Sequence, residues 1–457
     1  MRIELPRESE RLGAVIFYGV QKVFELDGGL ATETDRSEEN PTIWRMSYEM
    51  RQEIERQMAI VVPVRNERIR LIEGVLSGIP HDCLTLVVSN SPREPVDRFQ
   101  IEKAAIERMA KFIHKDILVV HQRDPLLGRA FAQAGYPDLL DAEGLVRNGK
   151  AEGMLAATLL AKLCGKKYIG FVDADNYFPG AVLEYVREYS AGFAMSQSPY
   201  SMVRIAWHSK PKVVESSLFF AKRGRVSVRT NHILNDLISY YTGFGTEVIK
   251  TGNAGEHALS MDLAMLINYA SGFAVEPYHF IDLWEKFGGI LPSPYPEVIR
   301  EQVEIFQIES RNPHLHEPKG DEHVEKMSYE AWQAVYHSPI CPPPLKEELL
   351  QDMQSHKFIK KGEEPAKPNY YRPLVQVDLA RFCEALQNEP YGDMLCAPPA
   401  GDDPIVNETA SPEAQGRPEA AGIGVDEDEA APSLAQTAAA APLNNGALHP
   451  DGQGSKG

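Results

Sequence analysis

From residue 59 onward the chain alternates two kinds of apolar run, and this alternation restricts its fold more than any other feature. The segments "AIVVPV" (59–64), "LTLVVSNS" (84–91), "DILVVHQRD" (116–124) and "KYIGFVDAD" (167–175) read as strands. Apolar and β-branched runs of this length suit a pleated, covered sheet. Between them, "DRFQIEKAAIERMAKFIHK" (97–115) and "EGMLAATLLAKLCG" (152–165) read as helices. The first sets Ile101, Ala105, Met109 and Phe112 on one stripe, and the second does the same with Leu155, Leu159 and Leu163. Strands alternating with one-sided helices predict an α/β fold, with a mostly parallel central sheet flanked by helices. In such sheets ligands bind beyond the carboxyl ends of the strands. Here every strand ends in polar residues: "PVRNE", "SNSPRE", "HQRD" and "DADN".

After residue 195 the alternation loosens into an elaborated second half. It holds a basic "AKRGRVSVRTNHILN", a Gly-rich "TGFGTEVIKTGNAGEHALSMD", a strand-like "FAVEPYHFIDLWEKFGG" and a helix-like "PEVIREQVEIFQIES" leading to "RNPHLHE". The net charge of −18 over 457 residues excludes sequence-independent nucleic-acid binding over the whole surface. Much of that charge lies in residues 401–457, where ten acids face only Arg417 and Lys456 and no aromatic residue occurs. Such a tail cannot bury enough apolar area to offset the entropy of ordering it, so disorder is expected there. Five widely spaced cysteines without a CxxC pair indicate neither a disulfide framework nor a zinc site. The charged N-terminus is no signal peptide, and no apolar run is long enough to span a membrane. A soluble cytoplasmic protein is expected.

The stretch "GFVDADNYFPG" raises Asp173 and Asp175 at the end of an apolar strand, just before turn-forming Asn176, Pro179 and Gly180. An EF-hand loop would need a ligand and a glycine where Tyr177 and Phe178 stand. An aspartyl phosphatase is a weak match for the same reason at Tyr177. Mg²⁺ shared between one or two carboxylates and a substrate diphosphate suits the pair better. "PVRNE" (Pro63, Val64, Arg65, Asn66, Glu67), Asn90 and Gln122 stand at neighbouring strand ends, and the two amides match a purine edge. Lys150 stands just before a helix, where backbone N–H groups favour phosphate. The cations of "KRGRVSVRTN" suit a small polyanion, although Arg223 and Arg225 read better as part of a solvated hairpin. His314 and His316 offer an imidazole that can complete a site begun by Asp175.

In motif order, "VPVRNE", "VVSNS", "GKAEGM", "FVDADN", "AGEHA" and "NPHLHE" resemble the mannosyl-3-phosphoglycerate synthases, glycosyltransferases of the GT-A type, over roughly residues 10 to 390. The resemblance implies retaining transfer of mannose from GDP-mannose to 3-phosphoglycerate. It implies a divalent cation, Mg²⁺ in the first place, with Mn²⁺, Co²⁺ or Zn²⁺ as alternatives, and a homodimer with neither nucleic acid nor membrane as partner. It makes Asp173 and Asp175 the acidic metal motif, with Asp175 the direct ligand and His314 or His316 a further one. Residues 63–67, Asn90, Gln122, Lys150, Asp173 and Ala174 would hold GDP-mannose. Arg129, Arg229, Thr230 and Asn231 would hold the acceptor. Lys150, Asp173 and Asp175 would carry the catalysis. The organisation implied is an N-terminal extension (1–58), a nucleotide-sugar half (59–195), an acceptor half (196–395) and the acidic tail (396–457). A transferase using GDP-glucose or glycerate, a nucleotidyltransferase and a non-catalytic sugar-nucleotide sensor are the competing readings.

Overall fold

The four apolar runs form neighbouring strands. Met58–Val64, Leu84–Ser89 and Ile117–His121 pair in parallel, and Tyr168–Phe171 joins the other side of Met58–Val64, also in parallel. Their register sets Val64 opposite Ser89, and Ser89 opposite His121, so the polar strand ends lie side by side. The computed structural model describes residues 1–26, 42–176, 178–214, 217–221, 225–315 and 320–387. Among them the sheet has eleven strands. Its order is Ile43–Arg45, Arg2–Glu4, Val15–Glu25, Val303–Ser310, Ser201–Trp207, His257–Ser260, Tyr168–Phe171, Met58–Val64, Leu84–Ser89 and Ile117–His121, with Ser9–Leu12 beside Val15–Glu25. Val15–Glu25, Val303–Ser310 and Ser201–Trp207 form a second parallel block. His257–Ser260 joins the two blocks and is antiparallel to both of its neighbours.

Alternate residues of a strand face opposite sides, and both sides are covered. Ala59 and Val61 enter one apolar core with Leu155, Leu159 and Trp284, while Ile60, Val62 and Val64 enter another with Ile72, Val75 and Val182. The helices Lys150–Leu163 and Val275–Phe287 thus cover one face, and Ile69–Gly78, Arg98–Ile113 and Pro179–Met195 the other.

Several local expectations are corrected. The strand-like segment around residue 280 is the helix Val275–Phe287, in which residues 275–284 are all buried. A helix buried on every side loses the one-sided stripe that reveals it. The helix-like stretch from Pro296 instead holds a short helix, Pro296–Glu301, and then the fully buried strand Val303–Ser310. Gln302, at φ +67°, breaks the run between them. On Arg98–Ile113 the buried face is Phe99, Glu102, Ala105 and Ile106, whereas Ile101 and Phe112 of the expected stripe are exposed. Glu102 earns its inward place by accepting hydrogen bonds from Ser89 Oγ and Ser91 Oγ, each 2.8 Å. The segment read as a basic hairpin continues into the helix Arg225–Thr242. Cys83, Cys164 and Cys341 are free thiols. No helix among the described residues is long and apolar enough to cross a membrane. The acidic tail, Tyr177, Lys222, Arg223 and His316 lie outside the described residues.

Candidate active site

The acidic turn follows directly from strand pairing. Val172 N donates to Val61 O at 3.0 Å, which carries the pairing one residue past Phe171 and releases the chain at Asp173. Ala174 and Asp175 are then buried, while the Asp173 side chain is 35% exposed. Asn176 Nδ2 closes the turn by donating to Asp173 O at 3.0 Å and to Glu256 Oε1 at 3.1 Å. The other Glu256 oxygen accepts from Trp207 Nε1 at 3.0 Å. Burial, and next the charge of Asp173, push the Glu256 carboxyl up to about 7. Three carboxyls therefore share one electrostatic neighbourhood.

Lys150 is the first residue of its helix, and its ammonium is fixed rather than mobile. Nζ lies 2.8 Å from Asp173 Oδ1 and 2.9 Å from Glu276 Oε1. Burial disfavours this charge, but Asp173 and Glu276 outweigh it and raise the lysine above its ordinary value. Glu276 is itself buried, and its second oxygen has no hydrogen-bond partner. Gly255 backs onto the same pair: a Cβ built there would stand 2.6 Å from Asp173 Oδ2 and 3.2 Å from Lys150 Nζ. The loop carrying Gly255 is anchored by fully buried Arg204, which donates to Thr251 O at 3.0 and 2.8 Å and to Gly252 O at 3.3 Å.

His314 reaches this centre through Trp207, on which its ring stacks with centroids 4.3 Å apart. Its Nδ1 is 3.3 Å from Tyr185 Oη. Buried Glu184 holds the loop before it, accepting from Arg311 N at 2.6 Å, Asn312 N at 2.8 Å and Asn312 Nδ2 at 2.7 Å.

The other strand ends are tied together as their register requires. Asn90 N donates to Val64 O at 2.8 Å and Gln122 N to Ser89 O at 2.7 Å. Asn66 takes φ +66°, a value asparagine tolerates, and its N–H donates to Ser91 Oγ at 2.7 Å. Arg65 and Asn66 are exposed, Val64 is buried, and the Glu67 carboxylate accepts from Arg65 N. Gln122 differs from expectation: its Nε2 amide is spent on Arg147 O at 2.6 Å and Gly149 O at 3.0 Å. It braces the loop leading to Lys150 instead of offering that donor to a purine.

The expected acceptor residues are only partly brought together. The Arg229 guanidinium is held by Asp352, with Nε to Oδ2 at 3.0 Å, and by Glu348 at 2.6 Å. Those carboxylates lie on the helix Pro343–Ser355. Asn231 Oδ1 accepts from Gly252 N at 2.7 Å, and Thr230 Oγ1 is buried without a partner. Arg129 is exposed on the helix Pro125–Gln133. Glu256, Trp207, Glu184 and Glu276 were given no role at this site from sequence, although Glu256 stands in the motif "AGEHA" and Glu276 in the segment read as strand-like.

The family described as mannosyl-3-phosphoglycerate synthase (osmo_MPGsynth) matches residues 5–386. The chain belongs to this family. The mannosyl-3-phosphoglycerate synthase of Pyrococcus furiosus is 45% identical over 391 residues, covering 85% of this chain and 98% of that protein. That of Aeropyrum pernix is 38% identical over 377 residues, covering 82% and 94%. Among solved structures, glucosyl-3-phosphoglycerate synthase from Mycobacterium tuberculosis, in complex with Mn²⁺, UDP and glucosyl-3-phosphoglycerate, is similar at 16% identity and a TM-score of 0.43. It covers 65% of this chain and 87% of that one.

Proposed function

We propose that the chain transfers mannose from GDP-mannose to the hydroxyl of 3-phosphoglycerate, with retention of configuration and release of GDP. The observation that carries this reading is the convergence of Asp173, Asp175 and Lys150 at one strand end, in a chain of this family.

The donor set fits a divalent cation shared between the protein and a substrate diphosphate. Among the described residues no three His, Cys, Asp or Glu side chains converge as a protein cage. Mg²⁺ bound through one or two carboxylates and substrate phosphate oxygens needs no such cage. Asp173 and Asp175 also add, after burial, to the rise of the Glu256 carboxyl, and a bound cation would offset that acidic contribution. Asp175, with Asp173, would hold it, and ligation by His314 would use Nε2 because Nδ1 faces Tyr185. When bound, the cation takes up charge that builds on the diphosphate as the glycosidic bond breaks.

The chain's own residues supply the rest. Lys150, held by Glu276, stabilises charge that grows on the leaving diphosphate and so favours the transition state over the ground state. Residues 63–67 and Asn90 line the neighbouring strand ends where the nucleoside would lie. Both Glu256 oxygens are engaged by Asn176 and Trp207, which disfavours Glu256 as a covalent nucleophile. Same-face attack assisted by the departing phosphate is therefore the favoured route; trapping a mannosyl-enzyme adduct would refute it.

The test is GDP release from GDP-mannose and Mg²⁺, with and without 3-phosphoglycerate, beside Asp175→Ala. Release that requires both the acceptor and Asp175 supports the transferase. Wild-type release equal to that of the variant overturns it.

A further inference from the structure

A cleft of about 200 Å³ opens at the ends of the strands Val15–Glu25, Val303–Ser310 and Ser201–Trp207, lined among others by Lys22, Trp207, Ser227, Lys250, Asn253 and Glu309. It adjoins the candidate active site through Trp207, which donates to Glu256, and through Ala254, the neighbour of Gly255. Asn253 is 5% exposed, yet neither its Oδ1 nor its Nδ2 has a hydrogen-bond partner. A buried amide left without partners costs free energy unless a ligand or water serves it. Lys22 has no ion-pair partner among the described residues, and Lys250 Nζ is paired at 2.8 Å only with Glu247, which is 88% exposed. Such a solvated pair is weak and easily exchanged for a ligand anion.

We propose that this cleft seats one anionic group of the acceptor, with Asn253 donating from Nδ2 and Lys250 and Lys22 supplying positive charge. The proposal rests on the transferase reading above and gives its acceptor an anchor in place of Arg229. Pairing sets Lys22 opposite Glu309, and Glu309 opposite Ala206, so cation, carboxylate and the approach to Trp207 lie across three adjacent strands. Glu8 and Glu309 also border the cleft, and Glu309 Oε1 is 3.6 Å from His208 Nδ1. This mixed lining suits a single carboxylate or phosphate held by directional donors and disfavours a bare polyanion. Asn253 Oδ1 is left to accept from a hydroxyl of the same ligand.

The experiment compares wild type, Lys250→Ala and Asn253→Asp using 3-phosphoglycerate, glycerate and glycerol 3-phosphate, by GDP release and by calorimetric binding of each compound. For Lys250→Ala the acceptor KM should rise about 10- to 100-fold, the range for a lost charge-assisted hydrogen bond, while the GDP-mannose KM and the melting temperature stay fixed. Asn253→Asp should weaken acceptor binding further, because it adds a like charge. A penalty seen with 3-phosphoglycerate and glycerol 3-phosphate but not glycerate puts the phosphate in the cleft; the reverse pattern puts the carboxylate there. Unchanged acceptor affinity in both variants overturns the proposal while leaving the transferase reading standing. If the wild type releases no GDP, that reading fails separately, and calorimetric binding still decides the cleft: 3-phosphoglycerate bound equally by wild type and variants, or not at all, overturns it.

Discussion

Replacing Gly255 by alanine should damage the reaction while sparing the fold. The added Cβ would stand 2.6 Å from Asp173 Oδ2, whereas ordinary contact begins near 3.4 Å, so one partner must retreat by about 0.8 Å. The loop resists, because Arg204 pins Thr251 and Gly252 from within the core. Asp173 yields more easily, since its side chain is 35% exposed. Stability should change by less than about 1 kcal/mol, as for a substitution whose strain is relieved by one movable side chain. Catalysis is less forgiving: misplacement by about 1 Å can cost ~100-fold, or ~2.7 kcal/mol of barrier. Acceptor-dependent GDP release should therefore show kcat/KM reduced about 100-fold at an unchanged melting temperature. A variant within threefold of wild type would refute the reasoning, for then either the loop moves freely or the Asp173 carboxylate need not stand where it does.

Two further outcomes follow from buried carboxyls. Glu184→Ala removes the acceptor of three hydrogen bonds from Arg311 and Asn312 and should destabilise the protein by about 2–4 kcal/mol in urea unfolding. It should also weaken Mg²⁺-dependent GDP release, since His314 follows two residues later; a loss below about 0.5 kcal/mol, the level of an ordinary surface substitution, would count against the anchoring role. Glu285 is pushed up to about 7 by burial, so the folded state retains a proton that the unfolded chain releases nearer 4.5. The stability it contributes is full below that lower value and is lost as pH rises through about 7. Glu285→Gln should accordingly match wild type at acidic pH and exceed it by on the order of 2–3 kcal/mol at alkaline pH. Parallel pH profiles of urea stability for the two proteins would refute this.

The strand ends that meet at the site were legible because parallel strands keep a simple grammar: an apolar run, then polar residues where the chain leaves the sheet. "FVDADN" obeys it, and Asp173 stands where Val172 makes its last pairing to Val61. Segments buried on all sides broke the grammar. Val275–Phe287 and Val303–Ser310 carry no exposed face to mark their period, so a helix read as a strand and a strand as part of a helix. The partners of the site residues were equally hidden. Glu276 meets Lys150, and Glu184 meets Asn312, across more than a hundred residues of chain, and nothing local announces either pair.

Local composition and period thus determined the α/β class, the carboxyl-end location of the site and the residue types gathered there, because those depend on neighbours a few positions apart. Tertiary structure alone decided which charges are available. It tied Arg229 to Asp352 and the Gln122 amide to Arg147 and Gly149, and it left Asn253 buried with its amide unserved. A side chain's chemistry is written in the sequence, but its partner is chosen by packing distant segments together, where burial makes each hydrogen bond or its absence count.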